Sequence, residues 1–345
     1  MFNDRTGATR DFTASFGPEV DAWLRVGRLH LASRASTLWT YFREQRNERS
    51  FDVSFAGRAR LDLGWLTPHA SGWRERTRQR PNLEIDARVR REETLSGLGA
   101  ELRLGQKLWI DARRDERTYT FGEGAFGRDV FLSALNRRET ETSVTGRVAA
   151  TPLTTVFLKT AVRQDRFTNA PERNSDSLFV LPMVEFKPLA LVFGRASLGF
   201  RRFSPVDGVE GFSGLVADIS LSYLLRDLTR ISVVSRRDVD YSFEDGQPYY
   251  VLAGNRVEVV QALGGAWDVT GYGGWTALEY RTRTEASTVV PGRRDRVRIA
   301  GFGVGRRIGT EIRVGIDVSH ARRWSGLDGR NYAGVRAGGV MTYGF

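Results

Sequence analysis

The 345-residue chain has no cysteine, which excludes disulfide bridges, thiolate metal sites and thiol catalysis. Its three histidines, His30, His69 and His320, are far apart in sequence and suggest neither a metal cage nor a histidine-based triad. No cofactor is expected. Lysine is nearly missing: of 52 basic residues, only Lys107, Lys159 and Lys187 are not arginine. The longest unbroken apolar run, Leu178 to Val184, is seven residues, far short of the roughly 20 that a membrane-crossing helix needs. Met1-Phe2-Asn3-Asp4-Arg5 has no apolar core of an export signal. Neither a G-x-x-x-x-G-K phosphate loop nor a G-x-S-x-G elbow occurs, and the chain reads as a non-enzyme.

What the sequence does contain is strict alternation. Phe51, Val53, Phe55, Gly57, Ala59, Leu61, Leu63 and Trp65 alternate with Asp52, Ser54, Ala56, Arg58, Arg60, Asp62 and Gly64. Period 2 marks a strand with one apolar and one polar face. Fifteen such residues exceed the ~5–6 of a typical globular strand and are enough to cross a bilayer at a tilt. The pattern recurs around Leu98–Leu104, Val192–Phe200, Leu215–Tyr223 and Ile312–Val318. Gly301-Phe-Gly-Val-Gly305 imitates a nucleotide loop, but it lies within a strand pattern with no helix after it.

Short turn signals fall at Arg28, Thr67-Pro68, Gln106-Lys107, Thr151-Pro152, Pro188, Asp227, Gly264-Gly265 and Ile308-Gly309, about 40 residues apart. Longer polar loops alternate with them: Arg43–Glu48, Gly122–Asp129, Thr168–Ser175, Ser204–Glu210, Thr284–Arg294 and Ser325–Arg330. Tight turns at one end and long loops at the other are the asymmetry of outer-membrane barrels. The period yields about 17 strands. The expectation is an all-β, antiparallel, up-and-down transmembrane barrel of 16–18 strands, occupying residues 1–345 as one domain.

The last strand places Ala333, Val335, Ala337, Gly339, Met341, Tyr343 and Phe345 on one face. Met341, Tyr343 and Phe345 resemble the terminal signal that bacterial barrel-assembly machinery recognises. Two longer segments carry a family resemblance: Phe16-Gly-Pro-Glu-Val-Asp-Ala-Trp-Leu-Arg-Val-Gly-Arg-Leu-His-Leu31 and Arg237-Asp-Val-Asp-Tyr-Ser-Phe-Glu-Asp-Gly-Gln-Pro-Tyr-Tyr-Val251. They resemble the type 2 β-barrel porins, bacterial outer-membrane barrels often associated with exopolysaccharide export. The resemblance implies 18 strands, an outer-membrane location and a role in transport or secretion. Together with the absent signal and the even strand numbers of such barrels, it leads to the expectation that an ascending strand precedes residue 5.

With the apolar face of Phe51, Val53, Phe55, Ala59, Leu61 and Leu63 against lipid, the polar faces line a lumen. The pore-lining candidates are Arg58, Arg60, Asp62, Arg103, Asp111, Arg113, Arg195, Arg201, Arg236, Asp238, Asp240, Arg313, Asp317 and Arg336. Arginine rings favour anions and bind planar acidic groups in forks, and the net charge of +11 adds a field of one sign. The same residues also fit cross-strand ladders that merely brace a polar wall. Asp238 and Asp240 share a strand face, and the neighbouring Arg236 and Arg237 favour a salt-bridge cluster over acid–base chemistry. Trp39, Tyr41, Trp65, Trp109, Tyr223, Tyr241, Phe243, Tyr249, Trp267, Tyr280, Tyr343 and Phe345 fall near strand ends, where aromatic girdles sit.

The leading reading is a porin-like barrel that passes anionic solutes or helps to export polysaccharide. Its expected partners are outer-membrane lipid, the barrel-assembly machinery, an anionic polysaccharide or solute, and periplasmic export proteins; nucleic acid is not among them. One alternative is a barrel closed by its own side chains, serving as a scaffold. Another, from a different class, is a soluble basic protein that binds nucleic acid.

Overall fold

The computed structural model describes residues 11–85, 88–122, 125–126, 130–205, 208–283, 292–327 and 330–344. The strands are β1 (Thr13–Phe16), β2 (Glu19–Val26), β3 (Leu29–Phe42), β4 (Ser50–Leu61), β5 (Leu66–Gln79), β6 (Val89–Leu104), β7 (Leu108–Phe121), β8 (Ala125–Phe126), β9 (Val130–Phe131), β10 (Arg137–Ala149) and β11 (Thr154–Phe167). They continue as β12 (Ser175–Phe186), β13 (Val192–Pro205), β14 (Phe212–Leu225), β15 (Thr229–Tyr241), β16 (Tyr249–Leu263), β17 (Trp267–Arg281), β18 (Arg294–Ile308), β19 (Ile312–Trp324) and β20 (Tyr332–Tyr343). β8 and β9 form a separate small hairpin, and the other 18 make one sheet. Every pairing in that sheet is antiparallel and joins neighbours in the meander.

β1 and β2 are two halves of one edge strand along β3, parted at Gly17-Pro18. Pro18 offers no N–H to the ladder, and a Cβ on Gly17 would lie 2.7 Å from the Thr37 carbonyl oxygen. Among the described residues, β1 and β2 pair only with β3, and β20 pairs only with β19.

The tight ends are true hairpin turns. At Leu225–Leu228, Arg226 and Asp227 both take positive φ (50° and 57°) and the Leu228 N–H reaches the Leu225 carbonyl at 3.1 Å. This is the mirror-image turn whose twist matches that of the strands it joins. One turn lies earlier than the sequence predicts. β4 stops at Leu61 rather than continuing to Trp65, and the reversal uses Asp62–Trp65, not Thr67-Pro68. The Gly64 N–H donates to Asp62 Oδ1 at 2.8 Å, and Gly64 has φ 91°. Pro68 is tolerated inside β5 because the β4 ladder begins only at His69, so no bond on that side requires its missing N–H.

Opposed residues lie on the same face of a sheet. The row His30, Arg60, His69, Gly99, Arg113, Ser143, Ala161, Phe179 and Arg201 follows the register across β3 to β13. It starts beside a tight turn and climbs toward the loop end. That stagger is the shear of a strand-tilted barrel.

The two faces are inverted relative to a soluble protein. Phe51 (63% exposed), Phe55 (55%), Leu98, Leu158, Leu198, Leu215 and Ile316 are exposed on one face. Asp52, Glu93, Glu139, Glu141, Asp165, Ser177, Arg201 and Asp268 are buried on the other. The lipid-facing set predicted on β4 is thus the exposed one.

Candidate pore interior and its plugged end

Toward the tight turns, the polar face is a sparse lattice of arginines and carboxylates. Glu101 lies between Arg147 at 3.1 Å and Arg60 at 3.8 Å. His69 Nε2 is 2.7 Å from Asp111 Oδ1. Arg113 donates from Nε to Asp115 at 2.7 Å and from Nη2 to Ser71 Oγ at 2.8 Å. Arg313 grips Asp268 on β17, two strands away, with Nε to Oδ2 at 2.9 Å. Glycines at 303 and 305 on the intervening β18 leave the space, and a Cβ on Gly305 would collide with the Arg313 guanidinium. Among the described residues, Arg58, Arg195 and Arg236 share this face without an ion pair, as does Asp317 in register between Gly303 and Gly338.

The remaining sequence candidates lie at the turns, at the sheet edge or toward the loop end. Asp62 belongs to the turn, where it caps Gly64. Arg103 donates to the Gly105 carbonyl at the next turn. Arg336 stands opposite Ser319 on edge strand β20. Met341 and Tyr343 are exposed on the apolar face of β20, and Phe345 lies outside the described residues. Asp238 does enter an ion pair, but its partner is Arg201, at 2.6 Å, rather than Arg236 or Arg237. Asp240 accepts from the Tyr250 hydroxyl at 3.3 Å.

Arg201 crosses to Asp238 because the sheet splits at its loop end. The β14–β15 ladder runs only from Ala217 and Arg237 to Leu225 and Thr229. Beyond it, β15 remains paired to β16 up to Tyr241 and Tyr249. Those two tyrosines, with Val239 and Val251, are buried against Phe167, Phe203 and Phe212. The tip of the β15–β16 hairpin is therefore folded into the barrel. Tyr241, Phe243, Tyr249 and Tyr280 belong to this buried core, not to a lipid-interface girdle.

The β5–β6 loop meets this tip from the other side. Asn82 caps it, its Oδ1 accepting from the Glu84 N–H at 2.9 Å. The Glu84 carboxylate then receives the Ser242 hydroxyl at 2.6 Å and the Phe243 N–H at 2.8 Å. Arg323 of β19 donates to the Glu84 carbonyl, and Arg80 reaches the Tyr332 hydroxyl at 3.3 Å. Ile85 joins the same apolar cluster as Phe121, Leu135, Phe167 and Phe243, so side chains from opposite walls meet. Glu84 and Ile85 are both fully buried, and burial pushes the Glu84 carboxyl above its ordinary value.

Arginines stitch the plug together. Arg173, from the β11–β12 loop, donates to the carbonyls of Ser242 at 2.6 Å and Glu244 at 3.1 Å. Arg293 and Arg323 share Asp295 at 2.8 and 2.7 Å, all three side chains being shut off from solvent. Arg330 holds Glu244 at 2.7 Å. None of Glu84, Arg173, Ser242, Arg293, Asp295 and Arg323 stands out in the sequence. Apart from Arg293 and Asp295, two positions apart, their partners lie tens to hundreds of positions away, and the Asp245-Gly246 turn signal marks a reversal without showing where its tip packs.

A tilted antiparallel meander with an apolar exterior, a polar interior, tight turns at one end and long loops at the other is a bacterial outer-membrane β-barrel of the porin type. The chain belongs to the family described as "Putative beta-barrel porin 2", whose profile matches residues 1–341. Among solved structures it is similar in fold to OccK1 (OpdK) of Pseudomonas aeruginosa, at 11% identity and a TM-score of 0.51, over 99% of this chain and 94% of that one. OccK3 (OpdO) of the same organism gives 11% identity and a TM-score of 0.51, over 96% and 90%. The FrpB iron transporter of Neisseria meningitidis (F5-1 variant) gives 11% and 0.50, over 91% of this chain and 62% of that one. The chain thus spans under two thirds of that transporter's length. No curated protein matches. The soluble nucleic-acid-binding alternative is set aside by the family and by the exposed apolar exterior.

Proposed function

We propose that the barrel is a conduit selective for anionic solutes, with carboxylated sugars or their polymers as the fitting class. The observation that carries this reading is the set of arginines without ion pairs on the polar face, Arg58, Arg195 and Arg236, within a chain of net charge +11. A guanidinium presents a planar fork to a carboxylate, stays charged at any physiological pH and is weakly hydrated. Rings of such groups in a confined lumen raise the local concentration of anions. In this reading Arg60, Arg113 and Arg313, already paired, brace the wall. Export of an acidic polysaccharide with periplasmic partners is the polymer form of the same selectivity. Met341 and Tyr343, exposed near the end of β20, fit the part of a signal to the barrel-assembly machinery.

The test is solute entry into liposomes that hold the full chain. Glucuronate should enter several-fold faster than glucose, and glucosamine more slowly than either. Equal rates for all three would remove the anion reading.

A second reading is favoured by one observation, the buried plug joining the β5–β6 loop to the β15–β16 tip. In this reading the lumen stays shut and the barrel is a scaffold. Complete impermeability to all three sugars, with and without removal of residues 80–85, would select it.

A further inference from the structure

On the lipid-facing side of the wall, arginines gather at the loop end. The outer face of β18 reads Arg294, Arg296, Arg298, Ala300, Phe302 and Val304, so charge gives way to an apolar band within one strand. On β19 the same change runs from Arg322 and His320 to Val318, Ile316 and Val314. Trp275, Arg298 and Arg322 stand side by side on β17, β18 and β19. In the next row toward the loops, Arg296 stands opposite Trp324. All three of Arg296, Arg298 and Arg322 are exposed. Tryptophans mark the level of the headgroups, and charge on the lipid face costs far less there than at mid-membrane. The long loops of such barrels face out of the cell, which sets this row at the outer-leaflet headgroups.

The row lacks a counter-charge. Arg298 and Arg322 are directly opposite each other, and like charges so placed repel. Among the described residues, neither they nor Arg296 has an ion pair. Glu279 is the single carboxylate on the outer faces of β17 to β20, and Arg294 occupies it at 3.3 Å. The far wall shows how the same arrangement is otherwise neutralised. Arg138 and Arg166 are also directly opposite each other, on β10 and β11. There each has its own carboxylate, Glu116 at 3.4 Å and Asp176 at 2.7 Å.

Trp324 draws the unneutralised pair together. The guanidinium carbons of Arg322 and Arg298 lie 4.7 and 5.3 Å from its ring centre. A guanidinium held over an aromatic ring still has N–H donors on its edges for a ligand. Positive charge is thus assembled at one point of the rim, and the offsetting anion is left to the surroundings. These side chains point away from the lumen, so the surroundings are headgroups and not a passing solute. A phosphomonoester fits best: near neutral pH it carries about −1.5 to −2 charges, with three oxygens for guanidinium forks.

We propose that Arg296, Arg298 and Arg322, set around Trp324, form a binding site for an outer-leaflet lipid whose headgroup bears a phosphomonoester. The site does not depend on what the lumen passes, and it stands or falls apart from the anion selectivity of the conduit.

The experiment counts lipid retained by the full barrel in detergent micelles, by native mass spectrometry. Phosphatidate is the phosphomonoester probe; phosphatidylglycerol, a phosphodiester, and phosphatidylcholine are the comparisons. The wild type should retain phosphatidate several-fold better than either. Arg298→Gln combined with Arg322→Gln should weaken phosphatidate retention roughly tenfold. Arg138→Gln combined with Arg166→Gln should leave it unchanged. Heat-modifiable gel mobility checks that each barrel has formed. Equal retention of the three lipids by the wild type, or equal losses in the two double variants, would overturn the proposal. Inorganic phosphate at the same concentration should not compete. Displacement of phosphatidate by it would overturn the lipid as the occupant.

A readout on the unmodified barrel covers the case in which the double variant does not fold. The unfolding midpoint in urea, in phosphatidylcholine vesicles, should be higher with added phosphatidate than with phosphatidylglycerol at equal mole fraction, because a ligand of the folded state stabilises it. Equal midpoints would overturn the proposal.

Discussion

Glu84 and Ser242 are 158 positions apart in the chain and 2.6 Å apart in the barrel, joined by a hydrogen bond from the hydroxyl to the carboxylate. The contact links the loop after the fifth strand to the tip of a hairpin folded in from the far wall. Around it, buried side chains from several strands form one apolar cluster at the loop end.

The contact should respond to pH. Burial is the main cause of the raised Glu84 carboxyl; the nearby Glu244 raises it further, while Ser242, the Phe243 N–H and Arg293 oppose the shift. A carboxyl whose seated-state pKa lies above its free value contributes to seating fully below the free value. It loses that contribution as pH rises through the seated one. Conductance of the barrel should therefore increase with pH above the ordinary carboxyl range. Glu84→Gln should flatten the dependence, as read from single-channel open probability between about pH 4 and 8. A wild-type profile that falls with rising pH would reverse the sign assigned to Glu84.

Asp295 is the hub of the plug's arginines. Asp295→Asn leaves Arg293 and Arg323 buried without their shared counter-charge. Removing one partner of a buried ion pair typically costs about 3–5 kcal/mol. The unfolding midpoint in urea, followed in lipid vesicles by heat-modifiable mobility, should drop accordingly. An unchanged midpoint would show that water reaches these arginines.

The wall is tested by two neighbouring residues. Phe55 faces outward on β4 and Ser54 faces inward, opposite Ser36 and Glu75. Phe55→Arg should destabilise the barrel in lipid by about 2–4 kcal/mol, whereas Ser54→Arg should be tolerated. Small, equal effects in a refolding titration would contradict the assignment of faces.

Much of this fold is legible in the sequence because a barrel strand obeys one rule along its whole length. Phe51 to Leu61 alternates, with Ala56 and Gly57 the weak positions, in the sense that sets lipid against lumen, and the tight turns repeat about every 40 residues. The misplaced turn at Thr67-Pro68 shows where the rule weakens. Asp62 and Gly64 continue the alternation while already reversing the chain, and proline punctuates a strand edge as readily as a turn. The plug is illegible for a different reason. Glu84, Arg173 and Arg323 are charges in or beside polar loops, where charge is ordinary. Only the fold shows that they are buried and whom they meet. Tyr241 and Tyr249 sit at strand ends like girdle residues; what draws them inside is the lapse of the β14–β15 ladder beyond Ala217, which no local pattern records.

The proposed preference of the lumen for anions is read from reversal potentials of the full chain in planar bilayers under a tenfold potassium chloride gradient. A potential of the sign set by chloride is expected. Its magnitude should shrink as both solutions approach 1 M salt, where screening falls to about 3 Å. A potential of the sign set by potassium, or one indifferent to salt, would contradict it.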